Sequence, residues 1–278
     1  MSKGYVMLAQ NSEHDYVEQA CLAAMSLHAT NKDPKITLVT NDDVPTEYIS
    51  LFDSIVAIPW TDQAAESDWK VENRWKIYHA SPYNETIVLD TDVLVLQDIS
   101  SWWKFLSNYD VYFTSKVFTY RDKEVYDTVH RKAFIANNLP NLYSGVHYFK
   151  KGKKAHEFYT WLELVMNNWE LFYGQYVKHH YPKRPSIDVS AAIVAKILDC
   201  DTEITNSAVK YPSFTHMKSA IQGWAHGAEQ WQDRVGTYLT HDLTLTIGNY
   251  KQHGIFHYTE KNFVTADIVN RYKQYLGI

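Results

Sequence analysis

Two aspartates, Asp90 and Asp92, are the residues of this chain best placed to do chemistry. They follow Thr-Ile-Val-Leu at 86–89, an apolar run rich in β-branched residues that predicts a buried strand. A buried strand rarely carries acids, because an unpaired buried charge costs several kcal/mol. A divalent cation held between carboxylate oxygens would neutralise both charges. The pair therefore predicts a metal site.

The position of the pair at the end of a strand supports this interpretation. Ligands of open α/β sheets bind beyond the carboxyl ends of the strands, and both acids fall there. With Thr91 between them on an extended backbone, the two side chains point the same way. That arrangement suits one hard cation bridged to a diphosphate. The alternative is a solvated turn that carries Asp-x-Asp by chance.

The composition is that of an ordinary globular protein. The chain has 278 residues, enough for one large α/β domain or two small ones. Hydrophobic residues make up 45% and charged residues 21%, which indicates a soluble protein. The net charge of −5 argues against a general binder of polyanions. No run approaches the roughly 18 apolar residues of a membrane span.

The cysteines and the N-terminal sequence favour the cytoplasm. Cys21 and Cys200 are the only cysteines and lie far apart, which does not suggest a disulfide framework or a zinc cluster and fits a reducing compartment. Met-Ser-Lys-Gly at 1–4 leads straight into a strand-like segment, with no signal-peptide pattern. We therefore expect a cytoplasmic protein without a transmembrane segment.

The first half of the chain alternates strands and helices. This alternation is the opening of a Rossmann-like parallel sheet. The predicted elements are strand 4–9, helix 15–30, strand 35–40, helix 45–52, strand 54–59, helix 70–81 and strand 86–89.

The second half is less regular and ends in a helix that we expect to pack on the core. The predicted elements are helix 99–107, strand 111–115, a loop with short helices at 116–139, strand 143–149, helix 154–172, helix 187–198, irregular structure beyond 205 and helix 264–276. We expect one domain over 1–278, with a nucleotide-binding half at 1–115, an acceptor-side half at 116–262 and a C-terminal helix at 263–278.

Several segments resemble glycosyltransferase family 8 and related GT-A glycosyltransferases. A basic helix, Arg-Trp-Lys-Ile-Tyr at 74–78, precedes the strand that ends in Asp-x-Asp, and Asp98 follows at a helix start. Tyr-Ser-Gly-Val at 143–146 is similar to an Asn-Ser-Gly-Val strand of that family, with Tyr in place of Asn. Gly-Ile-Phe-His-Tyr-Thr-Glu-Lys at 254–261 resembles the segment that supplies a metal-binding His and a phosphate-binding Lys, without the family's Lys-Pro-Trp ending.

The resemblance implies both a fold and an activity. The fold class would be α/β of the GT-A type, with a Rossmann-like, mostly parallel central sheet flanked by helices and a mixed C-terminal extension. The activity would be a metal-dependent, retaining glycosyltransferase of the hexosyltransferase type. Its donor would be a nucleotide sugar, a UDP-sugar, and its cofactor Mn²⁺ or Mg²⁺.

His257 is the expected third metal ligand beside Asp90 and Asp92. A neutral imidazole would complete a mixed shell that suits Mn²⁺ better than Ca²⁺. The alternative is that His257 is one of 13 histidines with no special role. By the resemblance, Lys261 would bind phosphate.

The residues expected to bind the nucleotide follow the first strand. By the resemblance, the region of Leu8, Ala9, Asn11 and Tyr16 holds the base and ribose, with Tyr16 stacked on the uracil ring. Packing of Tyr16 under the first helix is the alternative. Thr91, between the two acids, is also expected to contact the donor.

Arg74, Lys76 and Asp188 are expected to act on the diphosphate or on the donor sugar. One of the two basic residues would contact the diphosphate or a sugar hydroxyl, and they do not share a helix face because they are two positions apart. A solvated surface is the alternative for both. Asp188 would orient a sugar hydroxyl, or would cap its helix, since Ser186 and Asp188 are both good capping residues.

Two other functions and several acceptors are left open. A nucleotidyltransferase also places paired acids on a strand, but it usually adds a Gly-rich phosphate loop, and Ala-Gln-Asn-Ser at 9–12 has no glycine. A non-catalytic carbohydrate-binding protein could use the same fold. The basic segment 178–184 could recognise an acidic acceptor or a nucleic-acid backbone, or could be an exposed loop. The acceptor could be a glycan, a protein or a modified nucleic-acid base.

Overall fold

Short strands and helices alternate along much of the chain in its computed structural model, which describes residues 2–67, 70–125, 131–209, 212–220 and 231–278. The strands are β1 (Lys3–Leu8), β2 (Ile36–Val39), β3 (Ser54–Val56), β4 (Glu85–Leu89), β5 (Val93–Val95), β6 (Val111–Thr114), β7 (Lys116–Phe118), β8 (Tyr143–Lys150), β9 (Ser213–His216), β10 (Thr237–Leu239), β11 (Leu245–Ile247), β12 (Tyr250–Lys251) and β13 (Ile255–His257). The helices are α1 (Tyr16–Thr30), α2 (Ile77–Ala80), α3 (Trp102–Leu106), α4 (Lys132–Ala136), α5 (Lys153–Asn167), α6 (Trp169–Tyr176), α7 (Ile187–Ile197), α8 (Met217–Ala220) and α9 (Ala266–Leu276). Short 3₁₀ helices lie at Thr46–Leu51, Arg74–Lys76, Trp231–Asp233 and Lys261–Phe263.

Six strands form the central sheet, in the order β3-β2-β1-β4-β8-β6. The first four are parallel to one another, and β8 runs antiparallel to both of its neighbours. Strands β1, β2 and β4 are buried along nearly their whole length, which explains why their sequences are almost continuous apolar runs. The predicted mixed α/β class with a mostly parallel central sheet is confirmed.

A second sheet, β5-β13-β9-β7, brings the C-terminal part of the chain to the aspartate pair. Strand β5 follows β4 after Asp90, Thr91 and Asp92, and β13 pairs with it so that His257 lies opposite Val93. Strand β9 runs parallel to β13 on its other side. The remaining strands, β10, β11 and β12, form a small antiparallel sheet of their own.

Helices α1 and α9 pack against each other and are both capped by side chains. Asp15 accepts a hydrogen bond from the Glu18 amide (2.8 Å) at the start of α1, and Thr265 caps α9 in the same way. Tyr272 of α9 is buried, which confirms the predicted core packing of the terminal helix. Within the described ranges, none of the helices is long and apolar enough to cross a bilayer.

The structure differs from the predicted secondary structure in three ways. The helix predicted at 70–81 begins only at Arg74, as a 3₁₀ turn that leads into α2. The single helix predicted at 154–172 is divided into α5 and α6 at Asn168, whose φ of −129° and ψ of 36° interrupt it.

The third difference is that two segments predicted to lack strands contain short strands. The loop predicted at 116–139 contains β7, with 126–130 outside the described residues, and the region beyond 205 contains β9 to β13. These strands are two to four residues long, too short to show an alternating apolar pattern in the sequence.

Candidate active site

Strands β4 and β13 place the three predicted metal ligands side by side. Asp90 and Asp92 follow β4, and His257 ends β13. The Asp90 amide donates to the carbonyl of Gly145 (2.9 Å), and the Tyr258 amide donates to that of Asp92 (3.2 Å), so both ends of the turn are fixed. Candidate ligand atoms of the triad Asp90, Asp92 and His257 lie within 4.8 Å of one another.

Each acid of this triad already has a cationic partner. Asp92 lies 3.0 Å from Nε2 of His257 and 2.7 Å from Nζ of Lys261, one contact to each carboxylate oxygen. Asp90 forms an ion pair with Nη1 of Arg74. All five side chains are at most 22% exposed, so the charges interact in a partly desolvated environment.

The charges around Asp92 keep it ionised. Burial raises the pKa of this carboxyl, but the charges of His257 and Lys261 outweigh burial and hold the pKa well below its usual 3.8. Burial lowers the pKa of His257, and the charge of Asp92 reverses this effect, so that the pKa lies above its usual 6.5. Asp92 is therefore a carboxylate at every physiological pH.

The residues of the triad fit a divalent metal. They offer carboxylate oxygens and an imidazole nitrogen, a donor set suited to a first-row divalent cation such as Mn²⁺. Nδ1 of His257 is buried and has no hydrogen-bond partner among the described residues, so no hydrogen bond prevents this nitrogen from ligating a metal ion. Arg74 and Lys261 pair with the two acids in the structure.

A cleft of about 880 Å³ opens over the triad. Five further residues predicted to bind the donor line it, and Nζ of Lys261 lies 4.9 Å from the centroid of the Tyr16 ring. These five are Leu8, Tyr16, Arg74, Thr91 and Lys261. The rest of the lining consists of Gln10, Ser12, Glu13, His14, Ala65, Glu66, Ser67, Lys70, Arg184, His216, Lys218, Thr259 and Glu260.

Four predicted site residues lie outside this lining. Ala9 is fully buried, and the amide oxygen of Asn11 accepts a hydrogen bond from the Val17 amide (3.0 Å) at the start of α1. Lys76 is buried and donates to the carbonyl of Thr61, so its side chain does not join that of Arg74. The fourth is Asp188.

Asp188 is held by a buried arginine rather than by its own helix. Its Oδ2 accepts a hydrogen bond from Nη1 of Arg131 (2.6 Å), and its Oδ1 accepts from the amide (2.8 Å) and hydroxyl of Ser144. The Arg131 guanidinium lies between the rings of Phe134 and Tyr143, 3.9 Å from each centroid. Asp188 therefore ties α7 to β8 and does not act as a simple helix cap.

The fold of this chain is found among solved glycosyltransferases. It is similar to the galactosyltransferase LgtC, solved with donor and acceptor sugar analogues, with a TM-score of 0.52 and 15% identity over 98% of this chain and 95% of that one. The mostly parallel sheet and its flanking helices correspond. The chain has the GT-A fold. The predicted fold class, α/β of the GT-A type with a mostly parallel central sheet, is thus confirmed.

Two further matches of this GT-A chain have lower TM-scores. Glycosyltransferase GlyE of Streptococcus pneumoniae TIGR4 gives a TM-score of 0.43 and 16% identity over 74% of this chain, which spans 46% of GlyE. Mouse xyloside xylosyltransferase 1 gives 0.48 and 13% over 74% of this chain and 84% of that one. No family model and no curated protein matches the sequence.

Sequence reasoning missed Arg131, the partner of Asp188, and His216, which lines the cleft. Arg131 lies in a segment predicted to be a loop, and nothing local to it signals its partner Asp188. His216, whose ring centroid lies 4.8 Å from that of His257, ends β9 in a region predicted to be irregular. Ser-Phe-Thr-His at 213–216 contains a single apolar residue, so no local pattern indicated a strand there.

Replacing Gly145 with alanine should weaken the metal site without unfolding the protein. A Cβ at this position would lie 3.2 Å from Oδ2 of Asp90 and 3.5 Å from Nδ1 of His257. We expect the affinity for Mn²⁺, titrated in the presence of UDP, to fall at least about tenfold. Gly236→Ala is the matched control, because a Cβ there meets no atom within 4 Å. Equal affinities of the two variants would contradict this arrangement.

Proposed function

We propose that this chain is a metal-dependent glycosyltransferase of the family 8 type that uses a UDP-sugar. One observation carries the proposal: Asp90, Asp92 and His257 converge at the carboxyl edge of the sheet, in a cleft that also contains Arg74 and Lys261. Crevices at this edge are where α/β folds bind nucleotides. Paired acids, an imidazole and two cations in one cleft are suited to a metal and a diphosphate.

Charge balance supports a diphosphate as the bound group. In the structure, Arg74 and Lys261 neutralise the carboxylates of Asp90 and Asp92. If Asp90 and Asp92 held a divalent ion, Arg74 and Lys261 would be available to phosphate oxygens in the same cleft. The ion would supply Lewis-acid stabilisation of the departing nucleoside diphosphate. Arg74 and Lys261 add fixed positive charge where negative charge develops.

The other predicted residues suit the rest of the donor. Tyr16 and Leu8 line the cleft beyond Lys261 and offer an aromatic face and an apolar wall to the base. Asp188, fixed by Arg131 and Ser144, is assigned to a hydroxyl of the donor sugar. The family 8 resemblance further indicates transfer with retention of configuration, in which the leaving phosphate accepts the proton of the acceptor.

The acceptor and the compartment complete the proposal. We assign a glycan as the acceptor, since LgtC, with the same fold, was solved with an acceptor sugar analogue. Cys21 and Cys200 are both free thiols, which supports a reducing compartment such as the cytoplasm.

Isothermal titration of UDP into the wild-type protein, with and without Mn²⁺, tests the donor site. We expect a dissociation constant between about 1 μM and 1 mM with Mn²⁺, and at least tenfold weaker binding after chelation. ADP and GDP are the matched control ligands and should bind more weakly than UDP. UDP binding that is undetectable or independent of Mn²⁺ would overturn the proposal, and tighter binding of ADP or GDP would overturn the choice of UDP.

A further inference from the structure

Trp60 combines two energetically unfavourable features on the surface of the protein. Its residue surface is 67% exposed, although the indole is large and apolar. Its backbone φ is +58°, in the left-handed region that bulky residues avoid. Neither feature stabilises the fold. Strained conformations that persist without a stabilising role are typical of functional positions.

The indole of Trp60 is nevertheless held firmly in place. It stacks on the buried ring of Trp75, with centroids 5.6 Å apart and planes 22° apart, and His79 meets it edge-on at 4.9 Å. The carbonyl of the next residue, Thr61, accepts a hydrogen bond from the buried Lys76. A ring fixed in this way loses little conformational entropy when a ligand covers it.

The imidazole of His79 borders this exposed ring. It contacts Trp60 directly, and its centroid lies 6.4 Å from that of the His156 ring. Burial and the charges of His156 and Lys151 lower the pKa of His79, so its imidazole is neutral at pH 7 and offers one donor and one acceptor. Its nitrogens make no hydrogen bond to the described part of the chain.

We propose that Trp60, backed by Trp75 and bordered by His79, is a second carbohydrate-binding site that holds a pyranose ring of a glycan. The electron-rich face of an indole attracts the polarised C–H bonds on one face of a sugar ring. The neutral imidazole of His79 suits sugar hydroxyls, which both donate and accept hydrogen bonds. A purely apolar partner would leave this imidazole without hydrogen bonds, so the combination favours a sugar.

The position of the site suggests how it serves the enzyme. Trp60 follows β3 at the carboxyl edge of the sheet, and the same loop continues to Ala65 and Ser67, which line the catalytic cleft. A glycan seated on Trp60 would be retained near the cleft, which raises its local concentration there. Binding at Trp60 requires neither metal nor nucleotide, so it goes beyond the proposed function and can be tested separately.

NMR of the protein with ¹⁵N-labelled indoles, in the absence of UDP and Mn²⁺, tests the proposal. The probes are maltoheptaose, cellohexaose, mannohexaose and chitohexaose, and the Trp60 signal is assigned by its loss in Trp60→Asn. We expect at least one oligosaccharide to shift this signal saturably, with a dissociation constant on the order of 1 mM, as befits a single ring face. Trp60→Asn should weaken that binding at least tenfold, as measured by titration calorimetry.

The choice of asparagine separates binding from folding. Asparagine tolerates a positive φ, so Trp60→Asn should melt within a few degrees of the wild type. Tyr238→Asn, which alters another highly exposed aromatic residue (61%), is the matched control and should leave glycan affinity unchanged. The proposal is overturned if no probe shifts the Trp60 signal, if Trp60→Asn binds as the wild type does, or if the signal shifts only with protein concentration, as in self-association. The UDP titration that tests the donor site does not depend on these results. Failure of the glycan site at Trp60 can therefore be told apart from failure of the proposed function.

Discussion

Replacing Asp92 with asparagine is expected to abolish Mn²⁺-dependent binding of UDP and to lower kcat/KM for UDP-sugar hydrolysis by at least about 10³-fold. An amide keeps the shape of the side chain but loses the charge that holds a divalent ion. It also cannot accept hydrogen bonds from both His257 and Lys261, which contact the two carboxylate oxygens in the structure. UDP titration calorimetry and release of free sugar from a UDP-sugar measure the two effects.

Asp92→Asn should also lower the free energy of unfolding, and the size of the loss should depend on pH through the ionisation of Asp92. The folded-state pKa of Asp92 lies well below 3.8, so its carboxylate stabilises the fold at pH values above about 3.8. This contribution is lost as the pH falls through the folded-state pKa. In Asp92→Asn it is missing at every pH, and we expect unfolding at pH 7 to cost about 2–4 kcal/mol less.

A surface substitution controls for both effects. Asp43 is exposed, so Asp43→Asn should match the wild type in melting temperature and in UDP binding. A melting curve of Asp92→Asn at the temperature of the titration shows whether the variant is folded. Folded Asp92→Asn that binds UDP with an unchanged requirement for Mn²⁺ would contradict the role of Asp92.

Replacing Arg131 with alanine is expected to lower the free energy of unfolding by about 3–5 kcal/mol. The guanidinium is 7% exposed, lies between two aromatic rings and donates to Asp188, Asn141 and the carbonyl of Leu142. Its removal leaves a cavity and takes from the Asp188 carboxylate its only cationic partner among the described residues. Urea denaturation monitored by circular dichroism measures the change.

Arg121→Ala is the matched control for this prediction. Arg121 also stacks on two aromatic rings, 5.2 Å from Tyr120 and 5.8 Å from Tyr250, but it is exposed. We expect a loss of at most about 1 kcal/mol, because exposed cation–π contacts are weak. Equal losses in the two variants would show that burial of Arg131 does not determine its contribution.

Arg131→Lys tests whether the same residue serves the proposed donor site. Lysine keeps the charge but not the planar fork that reaches several acceptors at once. If Asp188 orients the donor sugar, this variant should raise KM for the UDP-sugar at least tenfold while the affinity for UDP stays unchanged. A parallel loss of both affinities would indicate a structural role alone.

Much of the first half of the fold was predictable because its signals are local. Near-continuous apolar runs predict β1, β2 and β4, and the helical spacing of apolar residues over 15–30 predicts α1. The aspartate pair was found for the same reason, since it directly follows such a run. His257 and Lys261 came from the resemblance of their segment to a known family, and the structure places them against Asp92.

The sequence by itself determined the α/β alternation, the strand that delivers Asp90 and Asp92, and the residue types suited to a metal ion. The tertiary structure decided which distant groups meet them. Lys261 pairs with Asp92 across 169 positions, and Arg131 with Asp188 across 57. Such pairs leave no trace in local periodicity, because the partners are far apart in sequence. Strands β5 and β13, which bring Lys261 to Asp92, have only three residues each and pair with each other. The same holds for Lys76, which turns to Thr61, and for Trp60, whose exposure depends on the packing of Trp75 beneath it.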